Sequence, residues 1–298
     1  MVCGEDDLPF IPRFMASHSA YPLKGIPLHA VVPDPAVEAM RISESGFEFV
    51  WPHSHFRSRI GATQASDEHQ IERLKLDFAA QDVFDNWLML DARTVFVRTA
   101  SVDDFLDPKG NPYRIVTRTA ENRVDPQRWS GREERFESAL HTVLPLLELP
   151  MSDYPLCWRE NGVLAASVAA SLHDFLDSRP PLGDNPAVWD LGALALHDLW
   201  RDPMAEGNGS VRDDPFLSVE YPGERLSLAL RGADTQALAR GYVAVVGSEI
   251  PVGEDGKVNF TESFNTLISQ SVSGTTIGRA LRERFLRRAP RVRKMLRL

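Results

Sequence analysis

The sequence predicts an α/β fold, a parallel sheet flanked by helices and followed by a more helical C-terminal half. Three observations carry this. Short apolar runs alternate with segments of helical periodicity through the first third of the chain. Several of those runs end on acidic turns, at Gly4-Glu5-Asp6-Asp7, Asp34 and Asp91. Beyond the middle of the chain, apolar residues recur at helical spacing in successive segments.

Taken in order, Val2-Cys3-Gly4 reads as the end of a strand entering a loop, a very short first strand that a start further upstream would lengthen. Leu8, Ile11, Phe14, Met15 and His18 follow at helical spacing, and Pro22 and Gly25 stop that helix. Leu28–Val32 is a short apolar strand closed by Pro33-Asp34-Pro35, and Phe47–Val50 is another. Asp67 can cap a helix whose apolar face is Ile71, Leu74, Leu76, Phe78 and Ala79, with Arg73, Lys75 and Asp77 set among them. Trp87–Leu90 is an apolar strand ending in Asp91, and Thr94–Val97 continues extended. Helices are predicted over Arg132–Leu147, Gly162–Leu176 and Ala187–Trp200, with loops at Ser178–Pro186 and Gly207–Pro215. No clean linker interrupts the chain. It reads as one domain over residues 1–278, with halves 1–115 and 116–278, and a tail at 279–298.

Composition bounds the function classes. The chain is 43% hydrophobic and 25% charged, so folding requires neither a metal nor a disulfide framework. Cys3 and Cys157 form no CxxC pair, and the N-terminus is acidic, the reverse of a secretory leader. A cytoplasmic protein is the expectation. The net charge is −9, but Arg279–Leu298 holds nine Lys/Arg and one acid, a local +8 that leaves −17 on the rest. An acidic body argues against nucleic-acid binding. The basic tail, with Leu281, Phe285, Leu286, Val292, Met295 and Leu296 among its arginines, suits peripheral contact with an anionic membrane.

The most informative stretch is Asp-Glu-His-Gln-Ile-Glu-Arg-Leu-Lys-Leu-Asp-Phe from Asp67, then Asn-Trp-Leu-Met-Leu-Asp-Ala-Arg-Thr-Val-Phe-Val-Arg-Thr from Asn86, then Asp103-Asp104-Phe105-Leu106. It resembles the region of GT-A-type glycosyltransferases where a Gln…Lys-Leu helix precedes an apolar strand ending in Asp-x-Asp. It is most similar to a bacterial family related to those enzymes, DUF6492. Val2-Cys3-Gly4-Glu5-Asp6-Asp7 and Ile26-Pro27-Leu28-His29-Ala30-Val31-Val32-Pro33 agree with the same pattern. The resemblance covers roughly residues 1–115 and extends weakly through Tyr154-Pro155-Leu156-Cys157-Trp158. It implies a GT-A-like (Rossmann-like) nucleotide-binding sheet, a nucleotide-sugar donor, a glycan acceptor of envelope or capsule type, and a divalent ion, Mn²⁺ or Mg²⁺, on the diphosphate.

The resemblance also assigns residues. Cys3, Gly4, Asp7, Asp34 and Asp91 fall at strand ends, where ligands of such sheets bind. The carboxyl ends of these strands are expected to line one cleft. Asp91 matches the first motif acid, which faces the ribose or the metal. Arg93 stands in place of the second, the metal-binding acid, so the motif is Asp91-Ala92-Arg93. A guanidinium there either pairs directly with the diphosphate or marks an inactive site. Lys75 either reaches the nucleotide or is a solvated helix lysine, and Arg13 either reaches a phosphate or is a surface arginine. An inverting transferase needs a base to deprotonate its acceptor. Asp190 and Asp153 are the candidates, with Glu160 a further one. His197 beside Asp198 is a candidate distal metal ligand, whereas His53-Ser54-His55 reads as a loop. Trp158 and Trp189 suit either a sugar face or apolar packing, and Cys157 reads as a buried thiol.

Overall fold

The computed structural model describes residues 1–42, 46–56, 67–81, 83–116, 126–150, 159–201, 211–213, 215–218, 242–247, 250 and 252–257. These form a mixed α/β fold of small sheets and packed helices. The strands are β1 (Leu23–Lys24), β2 (His29–Val32), β3 (Phe49–Pro52), β4 (Asn86–Met89), β5 (Thr94–Phe96), β6 (Ala100–Ser101), β7 (Arg114–Val116), β8 (Gly162–Ala165), β9 (Val211–Asp213), β10 (Phe216–Ser218) and β11 (Ala244–Val246). The helices are α1 (Ile11–Ala20), α2 (Val37–Ile42), α3 (Asp67–Ala79), α4 (Pro126–Leu146), α5 (Ala166–Asp177), α6 (Pro180–Gly183), α7 (Pro186–Asp190) and α8 (Gly192–Arg201). No helix among the described residues is long and apolar enough to cross a membrane.

Val2 lies parallel on β2, with the Cys3 amide donating to the Val31 carbonyl at 2.9 Å. β2 in turn pairs in parallel with β3, His29 opposite Phe49. Because side chains alternate across a strand, this ribbon faces two cores. Val2 and Val31 point into one, with α3, α5, α7 and α8. Met1, Cys3, Ala30, Val32 and Val50 point into the other, with Ile11 and Phe14 of α1 and Met40 of α2. Full burial of a side chain such as Phe14 contributes roughly 1.5–3 kcal/mol, so the two cores fix which face of each strand turns inward.

The expectation of a parallel sheet is met only in part, since the strands form several small sheets. β4 runs antiparallel to β8, and β5 antiparallel to β11. The segment predicted as one helix from Gly162 begins as strand β8. Its Gly-Val-Leu-Ala alternation suits a half-buried strand, and pairing with β4 decides the outcome. A Cβ at Gly162 would lie 2.9 Å from a Leu194 methyl of α8, so a larger residue there would make that side chain shift. The helix predicted over Ala187–Trp200 is two, α7 and α8. Gly192 has φ of 76°, a left-handed conformation that glycine takes without strain, and α8 starts there. The loop predicted at Ser178–Pro186 contains α6. β3 lies two residues later than predicted, and α4 starts six residues earlier. The tail at 279–298 lies outside the described residues.

α3 and α5 are joined by His173 Nε2, 3.1 Å from the buried Asp77 Oδ1. That carboxylate holds the imidazole above its ordinary pKa, against the opposing effect of burial. A His raised in the folded state stabilises fully below its unfolded pKa of about 6.5 and loses that contribution as pH rises through the folded value. Stability in urea is therefore expected to fall as pH is raised upward from about 6.5 through the His173 titration, and His173→Gln is expected to flatten that limb. An unchanged slope in the variant would remove this pair from the stability balance.

Candidate functional site

Gly4, Pro33, His53 and Asp91, each following a short strand or bridge, line one cleft of about 600 Å³ together with the first turns of α3. The volume lies within the range of small-molecule sites. Asp34 is displaced from it: its Oδ1 accepts from the Ser54 amide at 2.9 Å, which ties the loop after β2 to the loop after β3. His53 Nε2 donates to the Cys3 carbonyl at 2.8 Å and so braces the first strand end. His55 turns away and lies against Trp51 and Phe56.

The floor of the cleft is the turn after β4. Asp91 accepts three hydrogen bonds from one residue, Arg93: the backbone amide at 2.7 Å and Nε at 2.8 Å on Oδ1, and Nη2 at 2.6 Å on Oδ2. This is the two-pronged guanidinium–carboxylate fork, among the stronger polar contacts available to side chains. Burial pushes the Asp91 carboxyl up, but the Arg93 bonds outweigh it and hold Asp91 below the usual carboxylate range. The same pair raises Arg93. The Asp91 amide donates to Asn161 Oδ1 at 2.7 Å, and Asn161 Nδ2 donates to Thr94 Oγ1 at 3.0 Å. Asn161 is buried and carries no sequence signal, because its partners lie some 70 residues away.

Lys75 is buried at 6% exposure rather than solvated, and it lines the cleft. Its Nζ donates to Glu72 Oε1 at 2.6 Å, and Glu72 Oε2 accepts the Ala193 amide, at the start of α8, at 2.7 Å. Burial alone would lower the Lys75 pKa, but Glu72, with Asp91 and Glu160 behind it, holds it above its ordinary value. The Asp7 carboxylate accepts the Gly4 amide at 2.9 Å, and desolvation raises its pKa. The whole lining is acid-rich. Glu5, Asp6, Asp7, Glu68, Glu72, Asp91 and Glu160 face Lys75 and Arg93, and each of the two cations is already bonded to one of those acids.

Other assignments fall elsewhere. The Arg13 guanidinium donates to the carbonyls of Gly247 at 2.7 Å, Ile250 at 3.2 Å and Arg93 at 3.3 Å, so it ties α1 to the chain near β5 and β11 rather than lining the cleft. The Cys3 thiol is fully buried and pushed well up by desolvation; only its backbone serves the site. Asp190 closes α7, is not among the cleft-lining residues, and accepts from His69 Nε2 at 2.9 Å. His197 is not available as a metal ligand. Its Nε2 accepts the Ala165 amide at 2.9 Å, and Nδ1 faces Asp198, which Arg159 also holds. Trp189 packs in the core with Nε1 donating to the Gly183 carbonyl. Asp153, Cys157 and Trp158 lie outside the described residues.

The residues at the Asp91 turn do not fit a resident divalent ion. Both Asp91 oxygens accept from the Arg93 cation, the second motif acid is absent, and no group of three or more His, Cys, Asp or Glu among the described residues is placed to hold a metal. No protein-family model and no curated protein sequence matches this chain.

The Lys75–Glu72 pair lends itself to measurement. Removing one partner of a buried pair leaves an uncompensated charge, so Glu72→Ala is expected to cost about 3–5 kcal/mol in urea unfolding. The double variant Glu72→Ala/Lys75→Met is expected to recover part of that loss. A single-variant cost within the noise of the extrapolation would mean that water solvates Lys75.

Proposed function

We propose that the cleft binds a nucleoside-diphosphate sugar and that the protein is a GT-A-like glycosyltransferase acting on an envelope or capsule glycan. The observation that carries this reading is the convergence of Gly4, Pro33, His53 and Asp91 on one cleft with Lys75 and Arg93 on its walls. Ligands of open α/β sheets bind beyond the carboxyl ends of the strands. Of the acids considered for acceptor deprotonation, Glu160 lines the cleft and Asp190 does not. A second reading, a non-catalytic relative that binds a sugar nucleotide or a protein partner, draws on a separate observation. Asp91 is paired with Arg93 through both oxygens, and the catalytic candidate Asp190 is paired with His69.

A thermal-shift screen of uridine, guanosine and cytidine nucleotides and their sugars distinguishes the readings. Ligand that binds only the folded state stabilises it by about 2.7 kcal/mol at a hundredfold excess over Kd. A rise in Tm with a nucleotide sugar, followed by release of free nucleotide when acceptor glycan is added, is the result expected of the transferase. A rise without release favours the binder. No shift with any nucleotide or sugar nucleotide sinks both sugar-nucleotide readings.

The same proposal places the protein in the cytoplasm against an anionic membrane surface, through the basic tail. Removing residues 279–298 is expected to leave Tm unchanged and to abolish co-sedimentation with phosphatidylglycerol vesicles at low salt. Full-length protein that ignores such vesicles would end the membrane role.

A further inference from the structure

We propose that Arg93 is a fixed cation standing where a divalent ion would otherwise sit, with Asp91 as its positioning residue, so that the cleft engages a diphosphate oxygen through Arg93 and without a metal on Asp91. The ligand class rests on the sugar-nucleotide reading; the exclusion of a metal from Asp91 does not.

A carboxylate binds Mn²⁺ or Mg²⁺ by giving the ion an oxygen lone pair. Here Oδ1 already accepts two hydrogen bonds and Oδ2 one, all from Arg93. An ion on the lone pair left at Oδ2 would sit directly against the guanidinium charge that Oδ2 already binds, and the Arg93 backbone behind that guanidinium is held at both ends of the turn. The Asn161 carboxamide oxygen accepts the Asp91 amide. The Arg93 carbonyl accepts from Arg13 and from the Gly247 amide. Arg93 lines the cleft with about a third of its side chain exposed, at 32%. The fork uses Nε and one edge of Nη2. A guanidinium has five N–H groups in one plane, so the Nη1 edge, opposite the fork, remains to meet an oxyanion. Asp91 never touches the ligand in this arrangement. It locks the plane of the group that does.

Two titrations test this on the full chain. Mn²⁺ is titrated into wild type, Asp91→Asn, Arg93→Ala and Arg93→Lys and followed by electron paramagnetic resonance. Uridine diphosphate is then titrated calorimetrically into the same proteins, once with Mn²⁺ and once with chelator. The expected result is that Asp91→Asn leaves the Mn²⁺ isotherm of wild type unchanged. Arg93→Ala, which frees the carboxylate, binds Mn²⁺ more tightly than wild type. Wild-type affinity for the diphosphate is expected to be the same in chelator and in Mn²⁺. In chelator it is expected to drop about tenfold or more in Arg93→Ala, the scale of a lost hydrogen bond to a charged group, with partial recovery in Arg93→Lys. Circular dichroism and Tm confirm that each variant is folded, and Arg93→Lys carries the test if Arg93→Ala is not. A wild-type Mn²⁺ site that Asp91→Asn removes overturns the inference, as does diphosphate binding that needs Mn²⁺ in wild type. If no protein binds the diphosphate, the sugar-nucleotide reading fails while the Mn²⁺ isotherms still decide whether Asp91 holds a metal.

Discussion

The turn from Asp91 to Thr94 holds the molecule's separate parts in register. Within four residues it receives Asn161 from the segment entering β8, Arg13 from α1 and Gly247 from the segment leaving β11. Its own internal fork, Arg93 on Asp91, sets the direction of the chain between β4 and β5. Elements distant in sequence meet here through backbone amides and carbonyls rather than through apolar packing alone. Each of those groups would cost free energy if buried without a partner. The constraint is mutual: the carboxylate needs the guanidinium because it is nearly buried, and the guanidinium needs the carboxylate to have one orientation.

The opposite wall obeys the same rule with different residues. Lys75 is on the inward side of α3, where a charge is tolerated only if paired. Glu72 pairs it and also takes the Ala193 amide, one of the orphan donors at the N-terminus of α8. That amide points to Glu72 because the chain turns at Gly192. A single carboxylate thus neutralises a cation, caps a helix and joins α3 to α8. The cleft is bounded by two ion pairs whose geometry is settled before any ligand arrives, the condition under which polar groups recognise a ligand at least reorganisation cost.

Much of this was legible in the chain, and the failures have identifiable causes. α3 runs from Asp67 to Ala79 as its apolar face requires. The strand ends at Gly4 and Asp91 meet as their acidic turns suggested, although Pro33 and not Asp34 reaches the cleft. Lys75 read equally well as solvated because a helix flanked by Arg73 and Asp77 has no clean polar face; the signal that was present is Glu72 three residues earlier. β8 was hidden because Gly-Val-Leu-Ala suits helix and strand alike, and only a partner strand some 75 residues away decides between them. Asn161 and the carbonyl-binding role of Arg13 are contacts of the same long-range kind, which periodicity does not encode. The break at Gly192 was readable, being a glycine inside a helical pattern.

The balance of charge in the cleft decides what kind of contact can recognise a ligand there. Consider an anion roughly 4 Å from the Arg93 guanidinium and roughly 8 Å from the carboxylate behind it, at an effective dielectric near 20. The attraction is about 4 kcal/mol and the repulsion about 2 kcal/mol, a net of about 2 kcal/mol. Glu5, Asp6, Asp7, Glu68 and Glu160 on the same walls reduce it further. Long-range charge therefore cannot hold a diphosphate in this cleft; on the proposed reading, short, directed N–H bonds from Arg93 do so. Those acids have a use that an anion does not exploit. A carboxylate is a hydrogen-bond acceptor only, and hydroxyl groups are the donors that satisfy it. A ligand that puts a phosphoryl oxygen against Arg93 and the hydroxyls of a ribose and a sugar against the acidic walls matches both halves of the lining. A bare phosphate matches only one.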